Sequence, residues 1–154
     1  MILRQIYPVL SLLLIVNGWL QATEQKWVLL PPSQAKAVTR FCSRNNLAKV
    51  DRGWQLTAKD ADAIEDALSK DNYLRGKLTS ASTKEKDPRQ YYRQYVGVVV
   101  GGRKLIYVNG ICVKPPSYWT RKLENVCDGG ACFWGVLYDP ASGEFSHFEM
   151  NGVA

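Results

Sequence analysis

Residues 95–108 read YVGVVVGGRKLIYV, and this stretch decides the fold class. Two strand-forming runs flank Gly101-Gly102, and a two-glycine connection tolerates the positive φ that a tight hairpin turn demands at both positions. Pairing about that turn puts Val96, Val98, Leu105 and Tyr107 on one face and Tyr95, Val99, Ile106 and Val108 on the other. Both faces are apolar, so the hairpin belongs at the centre of a sheet with cover on each side. A second hairpin follows. Residues 131–139 (ACFWGVLYD) lead into Pro140-Ala141-Ser142-Gly143, where Gly143 suits a left-handed turn position, and then into EFSHFEM at 144–150.

Upstream of the hairpins the periodicity is helical. Pro31-Pro32-Ser33 is a start signal, with Ser33 as the expected N-cap before Ala37, Val38, Phe41 and Cys42; Asn45-Asn46 ends that element. A second helix has a capping box at Thr57 and Asp60, a staple from Leu56 to Ala61, and an apolar stripe of Ala61, Ile64, Ala67 and Leu68. It is expected to stop near Asn72, ahead of Gly76. Residues 76–90 are polar and small with one proline, and read as a mobile basic linker inside a single domain. The expected fold is α+β: two N-terminal helices packed on a four-stranded antiparallel sheet made of two hairpins.

The chain has 154 residues, and its first 22 stand apart. One Arg precedes an apolar run from Val9 to Val16, followed by small residues that suit cleavage after Ala22 or Gly18. This is the layout of a secretory signal peptide, and Asn17, Gly18 and Gln21 interrupt the run too early for a stable transmembrane anchor. No Cys lies near either cleavage point, which argues against a bacterial lipoprotein. The expected location is periplasmic or secreted, with residues 23–154 as one domain.

Cys42, Cys112, Cys127 and Cys132 all fall in that mature part, and an even count in an exported chain reads as two disulfides. The leading expectation is Cys112–Cys127 with Cys42–Cys132, and Cys127–Cys132 is the rival; spacing alone does not choose. A structural zinc site is not expected, for want of a close Cys-x-x-Cys pair and with one His in the chain. No cofactor or metal is expected.

Few residue sets could carry catalysis. GVVVGGRK (97–104) fails as a phosphate loop because Arg103 and Lys104 stand where Lys and Ser or Thr are needed. A dyad of His147 with Cys127 or Cys132 would need a free thiol, which export and the even cysteine count oppose. His147 is placed on a strand face shared with Phe145 and Glu149. Among the acids of the second hairpin, Asp139 and Asp128 read as turn formers; Glu144 and Glu149 complete the set that a carboxylate hydrolase would draw on.

Charge is more telling. Residues 75–104 hold 8 bases and 2 acids, whereas residues 23–74 hold 8 and 7, and residues 105–154 hold 3 and 5. Arg75, Lys77, Lys84, Lys86, Arg89, Arg93, Arg103 and Lys104 therefore form the expected basic binding patch, interleaved with Tyr91, Tyr92 and Tyr95. Between the hairpins, PPSYWTRK presents Tyr118, Trp119 and Arg121 as an expected aromatic binding loop.

RQYVGVVVGGRKLIYVNG, then CDGG at 127–130, FWGVLYDPASGEFS and the final NG together resemble a group of small secreted bacterial proteins of unassigned function. The resemblance covers residues 89–154 and implies an envelope or secreted location; it implies no catalytic residues.

These readings converge on an exported, non-enzymatic protein-binding domain that engages an acidic envelope protein, as inhibitor of a hydrolase or as immunity to a secreted toxin. The alternatives are a small envelope hydrolase and a binder of anionic glycan or lipid. Export sets nucleic acid aside as a partner.

Overall fold

A computed structural model describes residues 24–44, 47, 49–81 and 85–153. The expected leader (1–22), the Asn45-Asn46 stop and Lys84 lie outside these residues. The architecture is α+β. Strands β1 (Trp27–Leu29) and β2 (Arg52–Gly53) precede helices α1 (Ala58–Lys70) and α2 (Asn72–Ser80); β3 (Tyr92–Val100), β4 (Arg103–Ile111), β5 (Phe133–Asp139) and β6 (Glu144–Met150) follow.

The sheet runs β1-β3-β4-β5-β6, with β2 also paired to β3. It is six-stranded and mixed, not the four antiparallel strands expected: β1 lies parallel to residues 93–95 of β3, and β2 lies antiparallel to Val98 and Val99. The edge of β3 away from β4 recruits both, and strands of three and two residues are too short to show a period in sequence. The central hairpin turns at Gly101 (φ 57°) and Gly102 (φ 79°), and Val98 faces Leu105 across it.

Cover lies on both faces. On one, Leu56, Ala61, Ile64, Leu68, Leu74 and Leu78 pack onto Tyr91, Tyr95, Ile106, Val108, Trp134 and Val136. On the other, Leu30, Ala35, Val38, Phe41 and Leu123 pack onto Val96, Val98, Leu105, Tyr107 and Leu137. Trp134 stands opposite Gly110 and lies across it; a Cβ at Gly110 would fall 2.1 Å from the indole.

The first expected helix is a 3-10 segment, Pro32–Thr39, with Pro31 rather than Ser33 at the N-cap position and no side-chain cap. Its buried residues, Ala35 and Val38, continue to Phe41 at intervals of three, the repeat that a three-residue turn aligns on one face. Helix α1 starts as its capping box predicts, with the Asp60 carboxylate accepting the Thr57 N–H at 2.7 Å. The chain then breaks at Asp71 (ψ 122°), whose carboxylate accepts the Leu74 N–H at 2.6 Å and caps α2. The expected linker of 76–90 is thus helical through Ser80, and a 3-10 turn at Pro88–Gln90 closes it onto β3. Gly76 faces open space, so α2 meets only the ordinary cost of a helical glycine there.

Candidate functional site

A long irregular connection, residues 112–132, runs between β4 and β5. The β4–β5 register ends at Ile111 opposite Phe133, so the next residues out, Cys112 and Cys132, meet as a disulfide with Cα atoms 4.9 Å apart. The Cys112 N–H donates to the Cys132 carbonyl at 2.9 Å. Cys127 then bonds Cys42 (Cα–Cα 5.1 Å). This corrects the expected Cys112–Cys127 and Cys42–Cys132 pairing, and the Cys127–Cys132 rival with it; strand register, invisible in cysteine spacing, decides the outcome. Among the described residues no cysteine is free, so neither Cys–His147 dyad has a thiol.

The loop closed by Cys112–Cys132 rests on a polar floor. Gln94 and Asn109 stand opposite each other on β3 and β4. Gln94 Nε2 donates to the carbonyls of Trp119 (2.6 Å) and Lys122 (2.8 Å), and its Oε1 accepts the Glu124 N–H (2.8 Å). Asn109 Nδ2 donates to the Glu124 carbonyl (3.0 Å) and to Gln94 Oε1 (3.0 Å). Arg44 Nη1 reaches Asn109 Oδ1 and the Tyr107 hydroxyl, both at 2.9 Å, and its Nε donates to Asn151 Oδ1. Asn151 Nδ2 in turn donates to the Val126 and Asp128 carbonyls. Arg44, Gln94, Asn109 and Asn151 are all buried, and burial pushes the Tyr107 phenol up to about 12 against the pull of Arg44. Buried amides that satisfy loop carbonyls hold the main chain of the loop in place. None of the four was singled out from sequence; the available signal was a polar pair facing itself across two otherwise apolar strands.

On this floor the three expected loop residues divide. Trp119, half-buried in a 3-10 turn at Ser117–Thr120, meets the Tyr92 ring edge-on at 5.7 Å and pins the loop. Tyr118 (45% exposed) and Arg121 face solvent, beside Val113 (53%) and Lys114. Pro116 is extended (φ −65°, ψ 161°), so the chain enters this turn along a stiff segment.

The seven described basic residues of the expected set do not form one patch. Arg93 is 2% exposed: alternation along β3 turns it, with Tyr91 and Tyr95, towards α1. There its Nη2 holds Glu65 at 2.9 and 3.0 Å, Nε donates to the Tyr95 hydroxyl at 3.0 Å, and Nη1 donates to the carbonyls of Pro88, Arg89 and Tyr91. Arg93 is therefore removed from the binding set. Arg75 and Arg89 flank Asp87 at 3.5 and 2.8 Å, and the hydrogen bond from Arg89 holds that carboxyl down to about 2 despite partial burial. Lys77 lies over Tyr73, Lys104 lies over Trp54, and Arg103 pairs with Asp139; Lys86 is exposed. Arg89, in the turn before β3, and Arg103, which opens β4 opposite Val100, lie towards opposite ends of the nine-residue β3, itself about 26 Å long at the usual rise per residue.

Asp139 behaves as a turn former, accepting the Ala141 N–H at 2.9 Å, and that bond lowers its carboxyl below the usual range. The alternation that would put Phe145, His147 and Glu149 on one face is broken in β6. A bulge in β6 between the Leu137–Ser146 and Gly135–Glu149 pairs leaves His147 exposed at φ 55°.

Among the described residues no group of three or more His, Cys, Asp or Glu could hold a metal ion, and no helix is long and apolar enough to cross a membrane. No protein-family model, curated protein or solved structure matches the chain.

Proposed function

We propose that the protein is an exported, disulfide-braced, non-enzymatic binding domain whose contact surface is the loop at residues 113–122. Its partner is an acidic envelope protein, inhibited by the domain or neutralised as a toxin. The observation that carries this reading is the anchoring of the loop: a disulfide closes the 112–132 connection and paired amides beneath it hold four main-chain groups at Trp119, Lys122 and Glu124, while Tyr118 and Arg121 stay outside. A loop ordered before it binds loses little entropy on association, and exposed Tyr and Arg are the side chains that most often carry interface energy. Lys114, Arg121 and Lys122 give it positive charge, which steers an acidic partner.

The test is affinity capture with oxidised residues 23–154 against an envelope extract at low and high salt. One protein held in stoichiometric amount is expected, with Kd raised about tenfold or more by Tyr118→Ala with Arg121→Glu. Arg103→Glu with Lys104→Glu, at the far end of the sheet, is expected to slow association only slightly. Retention indifferent to the loop variant, or no retained protein, overturns the reading.

A further inference from the structure

We infer that a second site, the cleft between β1 and α1, binds a short saccharide. The cleft has a volume of about 850 Å³, and its walls include Gln25 and Trp27, Glu65 of α1, Arg89 and Gln90, with Arg93 beneath. Its floor is the Arg93–Glu65–Tyr95 cluster. The Arg93 side chain is 3% exposed and that of Glu65 is 24% exposed, so the carboxylate is gripped from below by a guanidinium and a phenol and opens outward. Burial keeps the Tyr95 phenol protonated well above its ordinary range, so it remains a donor to Glu65. A buried ion pair of this kind is a poor source of stability, because apolar side chains of the same volume serve as well. What it supplies is a carboxylate of fixed orientation at the base of a cleft, the property a binding site needs.

The wall beside it is aromatic. Trp27 is half-buried and backed by Tyr95, with ring centroids 6.1 Å apart and planes at 22°. An indole braced from behind gives a flat apolar surface, and the Gln25, Gln90 and Arg89 side chains around it are exposed amides and a guanidinium. A pyranose presents an apolar C–H face together with a rim of hydroxyls that both donate and accept. Trp27 suits that face, Glu65 accepts hydroxyl protons, and the amides and guanidinium donate to ring and hydroxyl oxygens. A polar rim disfavours an apolar ligand, and a lining that mixes Glu24 and Glu65 with Lys26, Arg89 and Arg93 offers no concentrated charge to a polyanion. Arg93 already neutralises Glu65, which leaves little attraction for a simple amine. Arg93 and Tyr95 of β3, with Tyr91 just before it, face this cleft's side of the sheet and Gln94 faces the loop, so the two sites occupy opposite faces.

The experiment titrates residues 23–154 with cellotriose, maltotriose and triacetylchitotriose, read by amide and indole N–H shifts. At least one trisaccharide is expected to give saturable shifts at Glu65, Gln90 and the Trp27 indole, in the millimolar range or tighter. Trp27→Leu and, separately, the exposed Gln90→Ala are each expected to weaken binding about tenfold; Glu144→Gln, on the far edge of the sheet, leaves it unchanged. Gln90→Ala keeps the test valid if Trp27→Leu unfolds. The absence of saturable shifts with all three sugars overturns the proposal, as does binding that survives both cleft variants in folded protein.

Discussion

Backbone conformation at His147 illustrates how much a single residue in this fold answers to its neighbours. Phe145, Phe148 and Met150 all pack towards the helical layer, yet Phe145 and Phe148 are three residues apart, and strict alternation would send one of them to solvent. An extra residue in β6 resolves this, and His147 takes it up at φ 55°, a left-handed conformation that a side chain with a Cβ adopts at a cost of about 1–2 kcal/mol. Its Nδ1 lies 3.0 Å from Ser146 Oγ and its side chain is otherwise exposed. His147→Gly is therefore expected to raise stability by up to about 1 kcal/mol, relief of strain offset in part by the greater entropy of glycine in the unfolded chain. His147→Val, branched where φ is positive, is expected to lower it. Denaturant midpoints of the two variants check the sign, and a destabilised glycine variant refutes the strain argument.

At the scale of elements, the legible parts were those whose signal is local. The glycine turn set the central hairpin, and the capping box placed the start of α1 at the residue where it begins. What escaped depended on partners distant in sequence. Helix α2 is nucleated by Asp71 immediately after α1 ends, but Gly76 and the polar residues beyond it read as linker. Arg93 counts as one more positive charge until Glu65, 28 residues earlier, is seen opposite it. The loop residues Tyr118, Trp119 and Arg121 were legible from composition, whereas the amides that hold them were not, because a polar pair in a strand acquires meaning only from what crosses above it. That pairing makes a prediction for the elements it joins. Gln94→Ala leaves the carbonyls of Trp119 and Lys122 and the Glu124 N–H without their partner, at a cost of about 1–3 kcal/mol. Amide exchange is expected to rise at Glu124, with the β3–β4 ladder still protected at Val96 and Val108. Uniform loss of protection across both regions would mean that the amide pair supports the whole sheet and not the loop alone.

For the whole molecule, the two disulfides divide the labour between strand neck and layer. Cys112–Cys132 closes a separation of 20 residues over two strands already hydrogen-bonded, whereas Cys42–Cys127 spans 85 and ties the segment after the 3-10 helix to the loop across the sheet face. In the chain-entropy account the stabilisation grows with the logarithm of the loop, to about 3 kcal/mol for the first and about 4.6 kcal/mol for the second. A domain the size of residues 24–153 buries about two-thirds of its unfolded surface, so it does not depend on disulfides as a mini-protein does. Cys112→Ser with Cys132→Ser, and Cys42→Ser with Cys127→Ser, are each expected to give a folded domain, the second pair with the lower denaturant midpoint. The connectivity is read by non-reducing digestion that cuts after Arg121 and Lys122 as well as before Asp128, which puts Cys112, Cys127 and Cys132 on separate fragments. A fragment linking Cys112 to Cys127 would overturn the strand register that aligns Ile111 with Phe133. A reversed order of midpoints, with the connectivity intact, would keep the register and place the greater constraint at the neck of the loop, where Tyr118 and Arg121 are presented.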